Sequence, residues 1–347
     1  MKSEKRETKE TKKRKAKNGK NFKLRRCAKF VWCLEFGHWL LEFIMYPTYL
    51  DLSETSEFSN RVEKTWQMLE KCELCGRKCR VNRLRDEKGI CRSGKDILIS
   101  SFNAHFGEEP PLSGFYGSGT IFLTNCNLHC VYCQNYPISQ LENGNKYTFE
   151  EVAQMMISLQ NRGCHNINFV TPTHFVPQIL KSLEIAIKNG LQIPIVYNTG
   201  GYDSIETLRL LDGIVEIYLP DARYGDSKIA EKYSGCKNYV EINRSALKEM
   251  HRQVGDLICD QRGIARKGLI IRHLVLPGGL SGTREVMHFI AEEISPKTYI
   301  SLMEQYFPAY RAYEFPLISR RINDEEYEEA KRIMRETGLE EGWWQER

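Results

Sequence analysis

Apolar runs and amphipathic stretches alternate regularly from about residue 119 towards the C-terminus. Six apolar runs are rich in β-branched and aromatic residues, and each precedes a segment in which apolar residues recur every three or four positions. The runs are TIFLT, NINFVT, IPIVYN, IVEIYLP, LIIRHLVLP and YISLM; the predicted helices span residues 149–162, 175–189, 204–211, 225–258, 283–293 and 324–337. Continuous apolar strands separated by helices are typical of a parallel sheet with both faces covered. The pattern predicts an α/β fold, either an open doubly wound sheet or a curved barrel.

The charge of the chain is unevenly distributed. Residues 1–26 hold 13 Lys or Arg against three Glu, whereas the other 321 residues hold 37 basic and 42 acidic side chains. A basic disordered tail therefore precedes a mildly acidic body, and nucleic acid is an unexpected partner for that body. No uncharged apolar run reaches the length of a membrane span, so none is expected.

Three of the twelve cysteines follow the first predicted strand closely, in the pattern Cys126-x3-Cys130-x2-Cys133. Three thiolates on one loop can hold three corners of an iron–sulfur cube, which leaves one iron open to an external ligand. The same residues also allow a zinc site completed by His129 or by a distant cysteine. The spacing and the position at a strand end favour the open cluster.

A second set, Cys72-x2-Cys75-x3-Cys79-x11-Cys91, lies in a segment with few apolar residues. Four thiolates suit a tetrahedral zinc ion or a closed [4Fe–4S] cluster, and a bound metal would supply the folding energy that the segment lacks. Tight cysteine clusters of this kind predict a reducing compartment, the cytoplasm.

The string GSGTIFLTNCNLHCVYCQNYPIS resembles the cluster loop of radical S-adenosylmethionine (SAM) enzymes, and within them the pyruvate formate-lyase activating enzyme-like proteins. The resemblance covers roughly residues 65–340 and includes HFGEEPPLSG, GCHNINFVTPTHFVPQIL, IPIVYNTGGYD, RQVGDL and RHLVLPG. It implies that the six units form a partial (β/α)6 radical SAM barrel with a small cysteine-rich N-terminal module. The expected boundaries are a basic tail at 1–26, an apolar and helical extension at 27–60, the cysteine-rich module at 61–105, the barrel at 106–310 and a C-terminal helical segment at 311–347.

The resemblance also implies roles for individual residues. Cys126, Cys130 and Cys133 would ligate the cluster, and its open iron would bind the amino and carboxylate groups of SAM. The residues expected around SAM are Tyr132 against the adenine, Thr171 and Thr173 where many relatives carry Gly-Gly-Glu, Asn198 near the ribose or methionine, Asp221 in an Asp-Ala-Arg that replaces Asp-x-Lys, and Arg272 facing SAM. The isolated residues carry expectations of their own: His174 donates a proton, contacts the substrate or makes a structural hydrogen bond, Cys236 is buried packing, and the segment 105–109 links two modules.

The activity implied is reductive cleavage of SAM to a 5′-deoxyadenosyl radical that abstracts a hydrogen atom, with activation of a glycyl radical enzyme as the first candidate. The alternatives are radical modification of another protein or of a small molecule, and, from a different class, a non-catalytic iron–sulfur or zinc protein. The partners expected with an enzyme are an electron donor of flavodoxin or ferredoxin type and a possible protein substrate.

Overall fold

A computed structural model describes residues 46–344, and the elements of this part of the chain follow the predicted alternation. The strands are β1 (Ile97–His105), β2 (Ser118–Leu123), β3 (Asn145–Tyr147), β4 (Ile167–Val170), β5 (Ile195–Thr199), β6 (Ile217–Pro220), β7 (Ile258–Cys259), β8 (Ala265–Leu274), β9 (Tyr299–Met303) and β10 (Gly342–Trp344). The helices are α1 (Tyr49–Ser53), α2 (Glu57–Gln67), α3 (Pro110–Ser113), α4 (Tyr136–Ser139), α5 (Phe149–Asn161), α6 (Val176–Lys188), α7 (Ile205–Leu210), α8 (Ser227–Ser234), α9 (Tyr239–Val254), α10 (Thr283–Glu293) and α11 (Asp324–Glu336).

The six predicted strand–helix units form one continuous parallel array. Strands β2, β4, β5, β6, β8 and β9 pair in that order, each parallel to the next. The full sheet runs β10-β9-β8-β6-β5-β4-β2-β1-β3, so its two edge strands, β10 and β3, do not pair with each other. The predicted α/β class with a partial (β/α)6 barrel is therefore confirmed.

Strand β1 extends the sheet on the β2 side, where it pairs antiparallel with both β2 and β3. After β1 the chain passes through residues 106–109 into the short helix α3. Leu112 of α3 packs with Val196, Ile217 and Ile270 of three central strands. This small apolar cluster fills the barrel interior near the N-terminal ends of the strands.

The larger apolar core lies between the outer face of the sheet and the helices that cover it, and it includes Phe169, Leu183 and Leu302. The inner face of the sheet is less completely buried towards the C-terminal ends of the strands. Phe122, Val170 and Arg272 belong to central strands, yet each is partly exposed. The barrel interior is therefore open towards the C-terminal ends of its strands, the edge where ligands bind in such folds.

The N-terminal elements were predicted less completely. Helix α2 lies within the predicted apolar and helical extension and the start of the cysteine-rich module, and it buries Phe58 and Val62. The predicted basic tail and residues 27–45 of the apolar extension lie outside the described residues. Within residues 46–344, no helix has the length and apolar character needed to cross a membrane.

Candidate functional site

The three-cysteine loop leaves the sheet at the C-terminal end of β2. Asn125, just before Cys126, has φ of 64°, a left-handed conformation that turns the chain sharply out of the strand. Cys130 is buried, and the other two thiols are partly exposed. Burial raises the pKa of Cys126 and of Cys133, and the charge of the neighbouring Cys130 raises both further. The loop thus gathers the three predicted ligands in one place.

Each sulfur of this loop has a hydrogen-bond donor beside it. The Leu128 amide donates to Cys126 Sγ at 3.3 Å, and the Ser139 hydroxyl lies 3.0 Å from Cys133 Sγ. Cys130 Sγ receives two donors, Arg223 Nη1 at 3.2 Å and Ser234 Oγ at 3.0 Å. Donors of this kind stabilise negative charge on sulfur, as a metal-bound thiolate requires.

His129 does not join this group of sulfurs. Its Nε2 lies 3.0 Å from the carbonyl oxygen of Ile90, and burial lowers the pKa of its imidazole. Within residues 46–344, no three His, Cys, Asp or Glu side chains form a ready-made site for a metal ion. The ligand assignments therefore depend on the proximity and chemistry of the cysteines.

A buried ion-pair cluster stands beside the cysteine loop at the ends of β5, β6 and β8. Asp221 Oδ2 is 2.5 Å from Arg223 Nη2, and Asp221 Oδ1 is 2.8 Å from Arg272 Nε. Arg272 Nη2 also donates to Asn198 Oδ1 at 2.6 Å. Burial opposes ionisation of Asp221, but the two guanidinium groups outweigh it and hold the pKa of this carboxyl below its usual value. Three of the predicted SAM contacts, Asn198, Asp221 and Arg272, are thus in direct contact.

The two predicted threonines occupy different environments. Thr173 is buried, and its hydroxyl donates to Asp203 Oδ1 at 2.8 Å. Tyr197 and Thr199 also donate to this carboxylate, each at 2.8 Å; burial nevertheless raises the pKa of Asp203, because three neutral hydroxyls offset desolvation less well than two guanidiniums do. Thr171 is half-buried with φ of 61°, a strained conformation for a β-branched residue.

Tyr132 is buried rather than presented at the surface of the site. Its hydroxyl lies 2.5 Å from that of Tyr224, which lies 2.7 Å from Ser234 Oγ. Since Ser234 in turn donates to Cys130, a continuous hydrogen-bonded chain joins Tyr132 to a cysteine sulfur. The ring of Tyr132 packs edge-to-face against that of Tyr306, with the ring centroids 5.8 Å apart.

The strand order, the cysteine loop and the polar cluster at the strand ends agree with one family. The model of the Radical SAM superfamily matches residues 120–252, which contain all three cysteines, Asn198 and Asp221. The chain belongs to the radical SAM superfamily. Among curated relatives, this radical SAM enzyme is similar to the uncharacterized protein MJ0674 of Methanocaldococcus jannaschii, with 34% identity over 310 residues that cover 86% of this chain and 82% of the relative. The uncharacterized protein MJ0808 of the same organism is 22% identical over 266 residues, 71% of this chain and 73% of that one.

Solved structures with a similar fold include a radical SAM methyltransferase from Sphaerobacter thermophilus, at a TM-score of 0.46 and 12% identity over 65% of either chain. SuiB of Streptococcus suis, solved with its precursor peptide SuiA, has a TM-score of 0.43 and 13% identity over 63% of this chain and 46% of its own. The chain spans less than two thirds of the length of both solved chains. The superfamily implies a [4Fe–4S] cluster and SAM as cofactors. The three neighbouring sulfurs with their donors fit such a cluster.

The four cysteines of the second set lie together in this radical SAM enzyme. Cys72, Cys75, Cys79 and Cys91 line a single pocket, with Arg83 and His174 in its wall. Arg83 is fully buried and donates to the carbonyl oxygens of His174 at 2.7 Å and of Gly94 at 2.7 Å. Its charge lowers the pKa of Cys91 against the stronger opposite effect of burial. The pocket therefore joins four thiols to one buried cation.

This pocket is attached directly to the three-cysteine loop. Arg77, between Cys75 and Cys79, donates through Nε to the Asn127 carbonyl at 2.9 Å and through Nη2 to Cys236 Sγ at 3.3 Å. Cys75 forms a β-bridge with Asp203. Cys236, expected only to fill space, therefore lies between the two cysteine sets.

Several residues of the site were not found by sequence reasoning. Arg223 was noted only as a replacement for lysine, and its contact with Cys130 was not anticipated. Asp203 carried no motif, although its place two residues after a Gly-Gly turn at a strand end is a usable signal. His174 is buried, its Nε2 lies 2.9 Å from the Thr124 carbonyl, and burial lowers its pKa to about 3, which leaves it neutral. The structure gives no support to His174 as a proton donor.

Residues 105–109 do more than link two modules. Burial raises the pKa of Glu108 to about 7, and the charges nearest to it include Arg272, Glu109 and Asp221. These two glutamates therefore face the barrel interior beside the ion-pair cluster. The signal in the sequence was a pair of acids immediately before Pro110-Pro111, a position where a tight turn buries its neighbours.

Proposed function

We propose that Cys126, Cys130 and Cys133 hold a [4Fe–4S] cluster and that the enzyme reductively cleaves SAM and abstracts a hydrogen atom from a substrate. The observation that supports this most directly is the convergence of three thiols on one loop, each with an N–H or O–H donor on its sulfur. Held by Cys126, Cys130 and Cys133, the cluster would supply one electron for the reductive cleavage of SAM, which would give methionine and a 5′-deoxyadenosyl radical.

The protein's part in this reaction is to position SAM and exclude water. Asp221 is held by two arginines, so its orientation is fixed before any ligand arrives. We assign Asn198, Asp221 and Arg272 to the methionine and ribose of SAM, and Thr171, in its strained conformation, to the methionine amine. Thr173 acts through Asp203, with which its hydroxyl is already engaged. We assign Tyr132 to the adenine, as the resemblance implies.

The test is anaerobic reconstitution with iron and sulfide, followed by dithionite and SAM. The wild-type protein should form 5′-deoxyadenosine, and Cys130→Ala should reduce that product at least about a hundredfold because cluster chemistry needs all three thiolates. Cys164→Ala is a matched control, since Cys164 is equally buried but lies before β4 at the opposite end of the barrel. A fully loaded cluster that yields no product would instead support the non-catalytic iron–sulfur protein, and zinc on the three thiols would contradict the proposal.

We propose a second metal at Cys72, Cys75, Cys79 and Cys91, and favour an auxiliary [4Fe–4S] cluster over zinc. A buried arginine beside four thiols compensates the negative charge that a four-thiolate site carries. Iron, sulfide and zinc counts of anaerobic wild type and Cys75→Ser distinguish the two metals. Loss of roughly four iron atoms per chain supports the cluster, whereas loss of one zinc at constant iron refutes it.

We consider two classes of substrate. Activation of a glycyl radical enzyme is the first assay suggested by the resemblance, with an electron donor of flavodoxin or ferredoxin type in the cytoplasm. Radical modification of another hydrogen donor, on a protein or a small molecule, is favoured by a specific observation, the two glutamates that face the barrel interior. Deuterium transfer from a labelled donor into 5′-deoxyadenosine identifies which substrate loses the hydrogen atom.

A further inference from the structure

The four-cysteine segment, residues 72–94, has little regular structure to hold it in place. It is described throughout, and its helical content is a single 3₁₀ turn, Arg83–Arg85. Four of its non-glycine residues have φ between 44° and 62°: Lys78, Arg80, Asp86 and Arg92. Such conformations are costly for residues with a side chain and persist only where their surroundings fix them. A metal on the four thiols is a centre of this kind, because it joins Cys72 to Cys91 across the segment.

This segment lies against the first half of the three-cysteine loop. Arg77 Nε donates to the carbonyl oxygen of Asn127, the residue after Cys126, at 2.9 Å. The side-chain amide of Asn125, the residue before Cys126, donates to Ser93 Oγ at 3.3 Å. Cys126 is therefore held on both sides by residues that lie among the four cysteines or just after them.

Two further contacts reach the rest of the loop. Nε2 of His129 lies 3.0 Å from the Ile90 carbonyl oxygen. Arg92 Nη2 donates to the carbonyl oxygen of Gln140 at 2.8 Å, and Gln140 follows Ser139, whose hydroxyl contacts the third cysteine sulfur of the loop. Ile90 and Arg92 flank the last of the four cysteines. A movement of that thiol therefore moves the groups that hold the loop.

The second half of the loop is held by other parts of the protein. The Val131 amide donates to the Tyr233 carbonyl oxygen at 2.9 Å, and the Arg311 amide donates to the Val131 carbonyl oxygen at 2.8 Å. Gln134 Nε2 donates to the Gln305 carbonyl oxygen at 2.9 Å. These three contacts do not involve the four-cysteine segment, so the second half is an internal reference for any effect that the segment transmits.

We propose that a metal bound by the four-cysteine segment fixes the first half of the three-cysteine loop and so strengthens iron binding there. The inference rests on the proposed function, because it takes both cysteine sets as metal sites. Without the second metal the four thiols are no longer joined, and the contacts to Asn125, Asn127 and His129 loosen. The two sites are thus coupled, and each metal is held more tightly when the other is present.

The test is hydrogen–deuterium exchange with mass spectrometry in a Cys130→Ala background, so that no cluster protects the loop. Excess iron and sulfide mask a change in affinity, and the coupling is therefore measured in the loop itself. Cys130→Ala is compared with the double variant Cys75→Ser/Cys130→Ala after oxygen-free preparation with iron, sulfide and zinc. Loss of the four-cysteine metal should speed exchange in residues 124–128 at least about tenfold. Exchange at Val131 and in β5 should be unchanged.

Three outcomes would contradict the expectation. Unchanged exchange in residues 124–128, although only the double variant has lost the metal, would overturn the inference and leave the proposed function intact. Equal acceleration throughout the barrel would also overturn it, because the metal would then support the whole fold. A Cys130→Ala protein without metal at the four cysteines would refute the proposed second metal and the inference with it.

Arginine variants of the otherwise wild-type protein test the contact separately from the metal. Arg77→Gln should speed the loss of the SAM-responsive EPR signal to an iron chelator about tenfold, at an unchanged four-cysteine metal content. Arg80→Gln is the matched control, since Arg80 is exposed and its Nε donates to Glu73. Should Cys130→Ala fail to fold, equal rates of signal loss in wild type, Arg77→Gln and Arg80→Gln would overturn the inference. The expected difference in rates without any 5′-deoxyadenosine would refute the proposed function alone.

Discussion

Replacing Glu108 by glutamine should change how the stability of this protein depends on pH. Burial raises the pKa of this carboxyl from 4.5 to about 7. The folded protein therefore holds the Glu108 proton more tightly than the unfolded chain does. As pH rises from 4.5 to 7, the unfolded chain releases this proton first, so the Glu108 contribution lowers stability across that window and is constant above it.

The size of the effect follows from the shift. Each unit of pKa difference corresponds to about 1.4 kcal/mol, so ionising Glu108 costs the folded state about 3 kcal/mol by pH 8. About 2 kcal/mol of that cost falls between pH 5.5 and pH 8. Glutamine has a similar shape and does not titrate. The free energy of unfolding of Glu108→Gln should therefore rise relative to wild type by about that amount over this range.

The measurement is oxygen-free urea denaturation of wild type, Glu108→Gln and Glu340→Gln at several pH values between 5.5 and 8. Differences between variants at one pH cancel the titration of groups they share. Glu340 is exposed, so its replacement should give a curve parallel to that of wild type. Parallel curves for Glu108→Gln as well would show that Glu108 ionises as it does in water, and would refute its placement among the interior acids.

Two further predictions address the neighbouring site. Ser234→Ala removes a hydrogen bond to Cys130 Sγ. It should lower the reduction potential of the cluster in an EPR-monitored titration, because hydrogen bonds to sulfur favour the more negative reduced state. Ser234→Thr should restore the potential, whereas an unchanged potential in Ser234→Ala at full iron content would contradict the assignment. Gly201→Ala should destabilise the protein by about 2 kcal/mol or more in thermal unfolding, since φ is 72° and a Cβ would lie 2.5 Å from the Asp221 carbonyl oxygen. Gly190 has φ of 90° and open space around it, so Gly190→Ala should lose only the stability that backbone strain costs. Equal losses of stability at Gly190 and Gly201 would contradict the predicted clash.

The repeating units were predictable because periodicity reports burial directly. A strand covered on both faces must be apolar throughout, and a surface helix must be apolar on one side, so β4 with α6 or β5 with α7 could be recognised locally. The proximity of Asn198, Asp221 and Arg272 could be predicted with one further argument. Carboxyl ends of parallel strands share one edge, and the structure brings these three side chains into contact.

Residues whose role depends on distant partners were not predictable in this way. Whether Thr173 faces a ligand or Asp203 depends on the turn after β5, 30 residues further along the chain. Whether His174 is a proton donor depends on how deeply the four-cysteine pocket covers it. Neither packing relationship leaves a periodic trace in the sequence.

The sequence by itself determined the order of strands and helices, the two cysteine sets and the polar residues at the strand ends, because spacing and hydrophobicity act over a few residues. Only the tertiary structure decided what surrounds these groups. Closure of the sheet around its interior turns Glu108 and Glu109 inwards, and docking of the four-cysteine segment places Arg77 on the three-cysteine loop. Burial and pairing of charge depend on the whole curved sheet, and these long-range contacts set the chemistry of the site.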